Sequence, residues 1–245
     1  MREALRARRR ELFWLRIRKG SPAGELADLL EAARSAALPV EEVEPRLLEQ
    51  GLPHGANAQG VVLGAGPLPD LLLEELLPAE EAPCTLVALD GVEDPQNVGA
   101  IARVAEAAGA HGLVLTRRKA PPLSAAVAKA SAGAIEWLPV SRVANLPRAL
   151  ESLKRHGFWV FGADPQARDD VFRLPDRWLS PRRVLVLGAE GRGLRPGVVG
   201  ALDHRLAIPL RGRVASLNVA SAAAVLLFEL ERRDRLATSP GIPYK

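Results

Sequence analysis

Apolar residues recur along this chain in two rhythms. In the first quarter, Leu26, Leu29, Leu30 and Ala33 stand three and four positions apart, which predicts a helix over Glu25–Ala36. Shorter apolar or alternating runs predict strands at Leu12–Ile17, Val40–Val43 and Gly60–Leu63, with helices at Glu3–Glu11 and Glu44–Gln50. From Cys84 onward the pattern changes. Compact apolar runs at Thr85–Leu89, Gly112–Leu115, Phe158–Gly162, Val184–Leu187 and Arg205–Ile208 read as buried strands. Amphipathic stretches at Val98–Ala108, Ser124–Ala132, Leu146–His156 and Ser216–Arg232 read as helices between and after them. This alternation predicts an α/β fold with a mostly parallel sheet covered on both faces.

The two patterns are divided by Gly64-Ala65-Gly66-Pro67-Leu68-Pro69 and an acidic stretch from Asp70 to Glu81. The expected organisation is a small α/β domain over 1–64, a linker over 65–83 and a larger domain over 84–245. No apolar run reaches the roughly 18 residues of a membrane span. The N-terminus lacks the apolar core of a signal peptide. A single cysteine, Cys84, allows no intramolecular disulfide, and a cytoplasmic location is the default.

Charge adds a partner class. The isoelectric point of about 9.7 suits a polyanion. Only five of the 33 basic residues are lysines, and arginine makes forked contacts to phosphate. A GC-rich genome would also raise arginine, so clustering is the better guide. Arg2, Arg6, Arg8, Arg9, Arg10, Arg16, Arg18 and Lys19 face only Glu3 and Glu11 over the same stretch.

Three short segments carry the chemistry, each directly after a predicted strand. That is where open α/β sheets bind ligands. The first is Asp94-Pro95-Gln96-Asn97-Val98-Gly99-Ala100, with Arg103 further along. Asn97 is placed to cap the helix, and Arg103 is expected near the same helix face among small alanines. The second is Leu187-Gly188-Ala189-Glu190-Gly191-Arg192-Gly193. Its glycine spacing, G-x-x-G-x-G, is neither the dinucleotide fingerprint nor a P-loop. A nucleotide-dependent dehydrogenase is thereby disfavoured. Glu190 would repel phosphate but suits a sulfonium or a ribose hydroxyl, and the glycines allow a backbone to approach a ligand closely. The third is Ile208-Pro209-Leu210, followed by Arg211-Gly212-Arg213 and by Ser216-Leu217-Asn218, with Ser216 the expected cap of the last helix. Two of the four asparagines of the chain, Asn97 and Asn218, sit in these segments, which capping alone does not anticipate.

Other candidates are weaker. The four histidines have no metal-ligand spacing, so no metal site is expected. Arg117-Arg118-Lys119 reads as a phosphate contact or a solvated loop. Trp14, Trp137, Trp159 and Trp178 read as core or interface residues, too scattered for a base-stacking platform.

Together the three segments resemble the SpoU (TrmH-type) family of SPOUT methyltransferases, which methylate RNA ribose 2′-hydroxyls with S-adenosylmethionine. The resemblance covers Cys84 to about Arg232. It implies a deep trefoil knot, a cofactor pocket built near Leu187, Gly188, Ala189, Ile208 and Leu217, and a catalytic set of Asn97, Arg103, Glu190, Ser216 and Asn218. It also implies a homodimer in which Arg103 acts at a site completed by the other chain. Glu3-Ala4-Leu5, the strand near Trp14, the helix at Leu26–Ala36 and Gln59-Gly60-Val61-Val62 resemble the ribosomal-protein-like RNA-binding domain of bacterial 23S rRNA guanosine 2′-O-methyltransferases. Members of that group carry a short strand before the Glu-Ala-Leu helix, and Met1 falls inside that region. The implied substrate is a guanosine in the peptidyl-transferase region of 23S rRNA. The alternatives are a guanosine in the tRNA D-loop and a non-catalytic rRNA-binding assembly factor.

Overall fold

The computed structural model describes residues 1–50, 52, 58–78, 82–175, 178 and 181–238. The chain divides into two compact units, Met1–Pro69 and Asp70–Lys245.

In the first unit, α1 (Arg2–Ala7), β1 (Leu12–Arg18), α2 (Ala23–Ser35), β2 (Val40–Val43), α3 (Pro45–Glu49) and β3 (Val61–Ala65) follow in order. β1 is central, parallel to β2 and antiparallel to β3. Leu15 and Ile17 of β1, alternate residues and so on one face, pack with Leu5, Leu29, Ala33 and Val61 in a single core. Trp14 points from the other face and lies over Gly64, where an added Cβ would stand 2.4 Å from the indole. The Arg16 guanidinium sits 4.2 Å from the centre of that ring.

The second unit holds β4 (Cys84–Asp90), α4 (Pro95–Ala107), β5 (Gly112–Thr116), α5 (Ala125–Ala130), β6 (Val140–Val143), α6 (Leu146–Arg155), β7 (Trp159–Ala163), β8 (Asp169–Asp170), β9 (Arg182–Gly188), α7 (Pro196–Val199), β10 (His204–Ala207) and α8 (Val219–Thr238). The seven strands run in the order β6-β5-β4-β9-β7-β10-β8, and every pairing is parallel. The central strands are apolar through their middle residues because both faces are covered, as in Leu86, Val87, Ala88 and Leu89 of β4. The chain builds outward from β4 to β6, crosses to β7, and then inserts β9 between β4 and β7. The order therefore reverses at β4/β9, which is the switch point of the sheet.

Two departures from the sequence reading concern short elements. β6 and β8 were not expected. Their few residues carry too little periodicity, and pairing with β5 and β10 defines them. The stretch expected as a linker is also partly built into the units. Ala65 ends β3, Leu71 bridges Ser141, and Leu76 is buried in the core of the larger unit. Cys84 is buried at the start of β4, and burial pushes its thiol up to about 11 against the opposing pull of Arg182. Among the tryptophans, Trp137 is exposed, whereas Trp159 and Trp178 stack with His204. No helix among the described residues is long and apolar enough to cross a membrane.

Candidate active site

The carboxyl ends of β4 and β9 lie side by side, with Asp90 opposite Gly188. The Gly-rich segment that follows β9 folds back on itself. Ala189 bridges Gly193, and the Gly193 N–H donates to the Ala189 carbonyl at 2.9 Å. A Cβ on Gly188 would stand 2.4 Å from the Gly193 backbone, so the loop itself requires a glycine there. Gly191 and Gly193 hold φ of 76° and 64°, the left-handed region glycine favours.

Asp90 fixes the far end of this loop. Its fully buried carboxylate accepts the Arg195 backbone N–H at 2.8 Å and the Arg195 Nε at 2.6 Å. Neither residue was singled out from the sequence. A lone acid ending an otherwise apolar strand is the signal that could have found it, since a buried carboxylate needs partners.

The helix starts differ from expectation. α4 is capped by Asp94, which accepts the Gln96 N–H at 3.0 Å, because Pro95 with its fixed φ takes the first helical position. Asn97 is left in the first turn with its side chain uncommitted to the cap. α8 opens at Val219, and its cap is Asn218, not Ser216. The Asn218 Oδ1 accepts the N–H groups of Ala220 and Ser221 at 2.9 and 3.3 Å. That leaves Ser216 and Leu217 in the irregular segment before the helix.

With its oxygen engaged, the Asn218 amide must present Nδ2 to the site. It donates to the Asn97 Oδ1 at 2.9 Å and to the Glu190 Oε1 at 2.6 Å. One residue from each of the three segments thus meets in a single polar cluster. The cluster borders a cavity of about 560 Å³. Leu187, Gly188, Ala189, Glu190, Ile208, Ser216, Leu217 and Asn218 all line that cavity, together with Leu206, Leu210, Val219 and Leu226. Its size and mainly apolar wall suit a nucleoside-sized ligand.

Arg103 is not brought to the cavity. Six residues turn a helix through about 600°, which sets Arg103 about 120° round from Asn97 and not near the same face as expected. It is exposed and makes no hydrogen bond or ion pair among the described residues. No cluster of His, Cys, Asp and Glu able to hold a metal occurs among the described residues.

The model of the SpoU rRNA methylase family matches residues 85–228, which spans β4 through the first half of α8. The chain belongs to the SpoU rRNA methylase family. Within that family it is 38% identical to the 23S rRNA (guanosine-2′-O-)-methyltransferase RlmB of Pseudomonas aeruginosa, over 90% of this chain and 88% of the relative. It is 39% identical to RlmB of Ralstonia nicotianae, over 85% of this chain and 82% of the relative. The crystal structure of the AdoMet-bound rRNA methyltransferase from Sinorhizobium meliloti superimposes with a TM-score of 0.76 at 25% identity, covering 95% of this chain and 85% of that one. The cavity and the polar cluster both fall within the matched SpoU region.

Proposed function

We propose that this protein transfers a methyl group from S-adenosylmethionine to the ribose 2′-hydroxyl of a guanosine in the peptidyl-transferase region of 23S rRNA. The observation that carries the reading is the Asn97–Asn218–Glu190 cluster at the rim of an apolar cavity at the sheet's switch point. The relatives named for the same reaction extend along most of the chain.

The residues present fit the cofactor. Leucine and valine side chains offer an apolar slot for an adenine ring. Glu190 offers a carboxylate to a positively charged centre, with no phosphate cradle in the way. When bound, S-adenosylmethionine supplies an electrophilic methyl on a cationic sulfur. The polypeptide's task is then to place a ribose oxygen in line and stabilise charge as it develops. Asn97, Asn218 and Ser216 orient the ribose. Asn97 has an amide NH2 to donate once its oxygen is held by Asn218. Arg103, whose guanidinium offers donors and no acceptor, acts by holding phosphate and stabilising alkoxide character, not as a base. Its exposed position on α4 supports a homodimer in which the other subunit completes the site.

The reading includes the chain path. Late insertion of β9, and a cavity shared between the Gly188–Gly193 loop and the segment before α8, support a deep trefoil knot. In the N-terminal unit, several of the clustered cations are engaged locally, as in Arg16–Glu41 and Lys19–Glu44. Arg18 stands exposed beside them and supports a role for this unit in gripping rRNA. An rRNA substrate supports a cytoplasmic site of action.

The test is transfer of radiolabelled methyl from S-adenosylmethionine to transcripts of 23S rRNA and to a tRNA pool, with Asn97→Ala alongside. Label in rRNA alone, lost in the variant, is expected. Label confined to tRNA would overturn the substrate. Cofactor binding without transfer to either RNA or to ribosomal particles would point to an assembly factor.

A further inference from the structure

A second cavity, of about 360 Å³, opens at the same edge of the sheet. It is lined by Thr116, Arg118 and Lys119 after β5, by Asn145 at the start of α6, and by Arg195. Three cations line it and no carboxylate does. The Arg118 and Lys119 side chains are exposed and make no hydrogen bond or ion pair among the described residues. Their position is nonetheless built. The Thr116 hydroxyl donates to the Arg118 carbonyl, and Lys119 is held at φ 62°, a left-handed conformation that costs a non-glycine residue about 1 kcal/mol. This tight turn directs two unpaired cations into one cleft beside Arg195, which Asp90 already neutralises, so Arg118 and Lys119 carry the cleft's net positive charge.

The cleft lies next to the reaction. β4 alone separates β5 from β9, so the strands bearing the two cavities are two strand spacings, about 10 Å, apart. The Gly-rich loop joins them: Gly188–Gly191 and Gly193 line the first cavity and Arg195 the second. Arg195 is held rigidly by Asp90 while it lines the cleft. S-adenosylmethionine carries no phosphate, so a basic cleft of this kind serves the other substrate.

We propose that Arg118, Lys119 and Arg195 bind the backbone phosphates of the RNA beside the nucleotide that is methylated. The proposal rests on the RNA methyltransferase reading above and gives that site its substrate-positioning half. Arg118 and Lys119 supply the exchangeable phosphate contacts. Arg195, paired with Asp90, supplies fixed guanidinium donors whose place is set by the same loop that shapes the first cavity.

The test compares the full-length protein with Arg118→Gln/Lys119→Gln on whichever transcript the wild type methylates. The choice of RNA is settled on wild type alone, so failure of the rRNA reading is seen separately. The variant is expected to raise KM for RNA about tenfold, with turnover at saturation within about twofold of wild type. The slope of log(1/KM) against log salt should become shallower by about 1.4, the value for two phosphates of a single strand that the variant no longer neutralises. Calorimetric affinity for S-adenosylmethionine and melting temperature should not change. An unchanged KM with an unchanged salt slope would overturn the proposal. So would protection of wild type alone by inorganic phosphate with KM for RNA equal in both proteins, which would assign the cleft to free phosphate.

Discussion

Asn218 donates one hydrogen bond to Asn97, 121 positions earlier in the chain, while its own oxygen caps α8. The two functions of one amide can be separated. Asn218→Asp keeps an acceptor for the cap but loses the donor, and it sets a second carboxylate beside Glu190. Melting temperature should fall by no more than about 4 °C, the worth of about 1 kcal/mol in a chain of this size. Methyl transfer at saturating substrates should fall at least about tenfold, or about 1.4 kcal/mol of barrier. Turnover equal to wild type would remove the cluster from the mechanism.

The Asp90–Arg195 pair closes the Gly-rich loop from below. Asp90→Asn keeps size but weakens a charge-assisted contact whose acid is buried and whose base is half-exposed. Thermal unfolding should show a loss of about 2 kcal/mol, equivalent to about 4–8 °C. Cofactor affinity, measured by calorimetry, should weaken as the loop loosens. Retained affinity at a lowered melting temperature would mean that the pair supports the fold only.

Gly188 and Gly193 give contrasting expectations. A Cβ on Gly188 meets the backbone of Gly193, whereas one on Gly193 meets nothing within 4 Å and strains only φ. Gly193→Ala should cost about 1–2 kcal/mol. Gly188→Ala should cost more, with S-adenosylmethionine binding weakened at least about tenfold, because backbone cannot move aside as a side chain can. Equal affinities in the two variants would contradict the close approach.

Glu229 on α8 predicts an acid dependence. Hydrogen bonds from Arg232 and then Arg233 hold its carboxyl below the usual range, against the opposing effect of burial. A carboxyl depressed in the folded state contributes stability that is present above its unfolded value, about 4.3, and lost as pH falls through the folded one. In urea titrations, the advantage of wild type over Glu229→Gln should therefore be largest at neutral pH and shrink below about pH 4. An advantage that persists unchanged at pH 3 would count against the ionic origin of the contribution.

Much of this architecture was legible in the residues. Continuous apolar runs marked β4, β5, β7 and β9 because a strand covered on both faces has no polar side. Helical spacing marked α2, α4 and α6 to within a few positions. The helix starts were not legible in the same way. Several cap-forming side chains crowd each one, and the position of Pro95 and the start of α8 at Val219 decide which serves. The cluster itself could be anticipated only in part. Asn97, Glu190 and Asn218 stood out by their place after strands, but their meeting depends on long-range pairing of β4 with β9. Asp90 and Arg195 were missed because each is ordinary in its own stretch of sequence. Arg103 stood out in its motif, yet the helical phase turns it away from the cavity.

The insertion of β9 between β4 and β7 has a consequence for how the protein is made. Cys84 pairs with Arg182, nearly a hundred residues later, so the centre of the sheet closes only after most of the chain has been synthesised. Contacts of such separation are slow to form, and the earlier strands wait with apolar edges open. Every residue lining the larger cavity comes from Ala163 or later. A ribosome-bound or truncated chain lacking that last third lacks every residue that lines the cavity. The cavity can therefore be complete only once the chain has been made through Leu226.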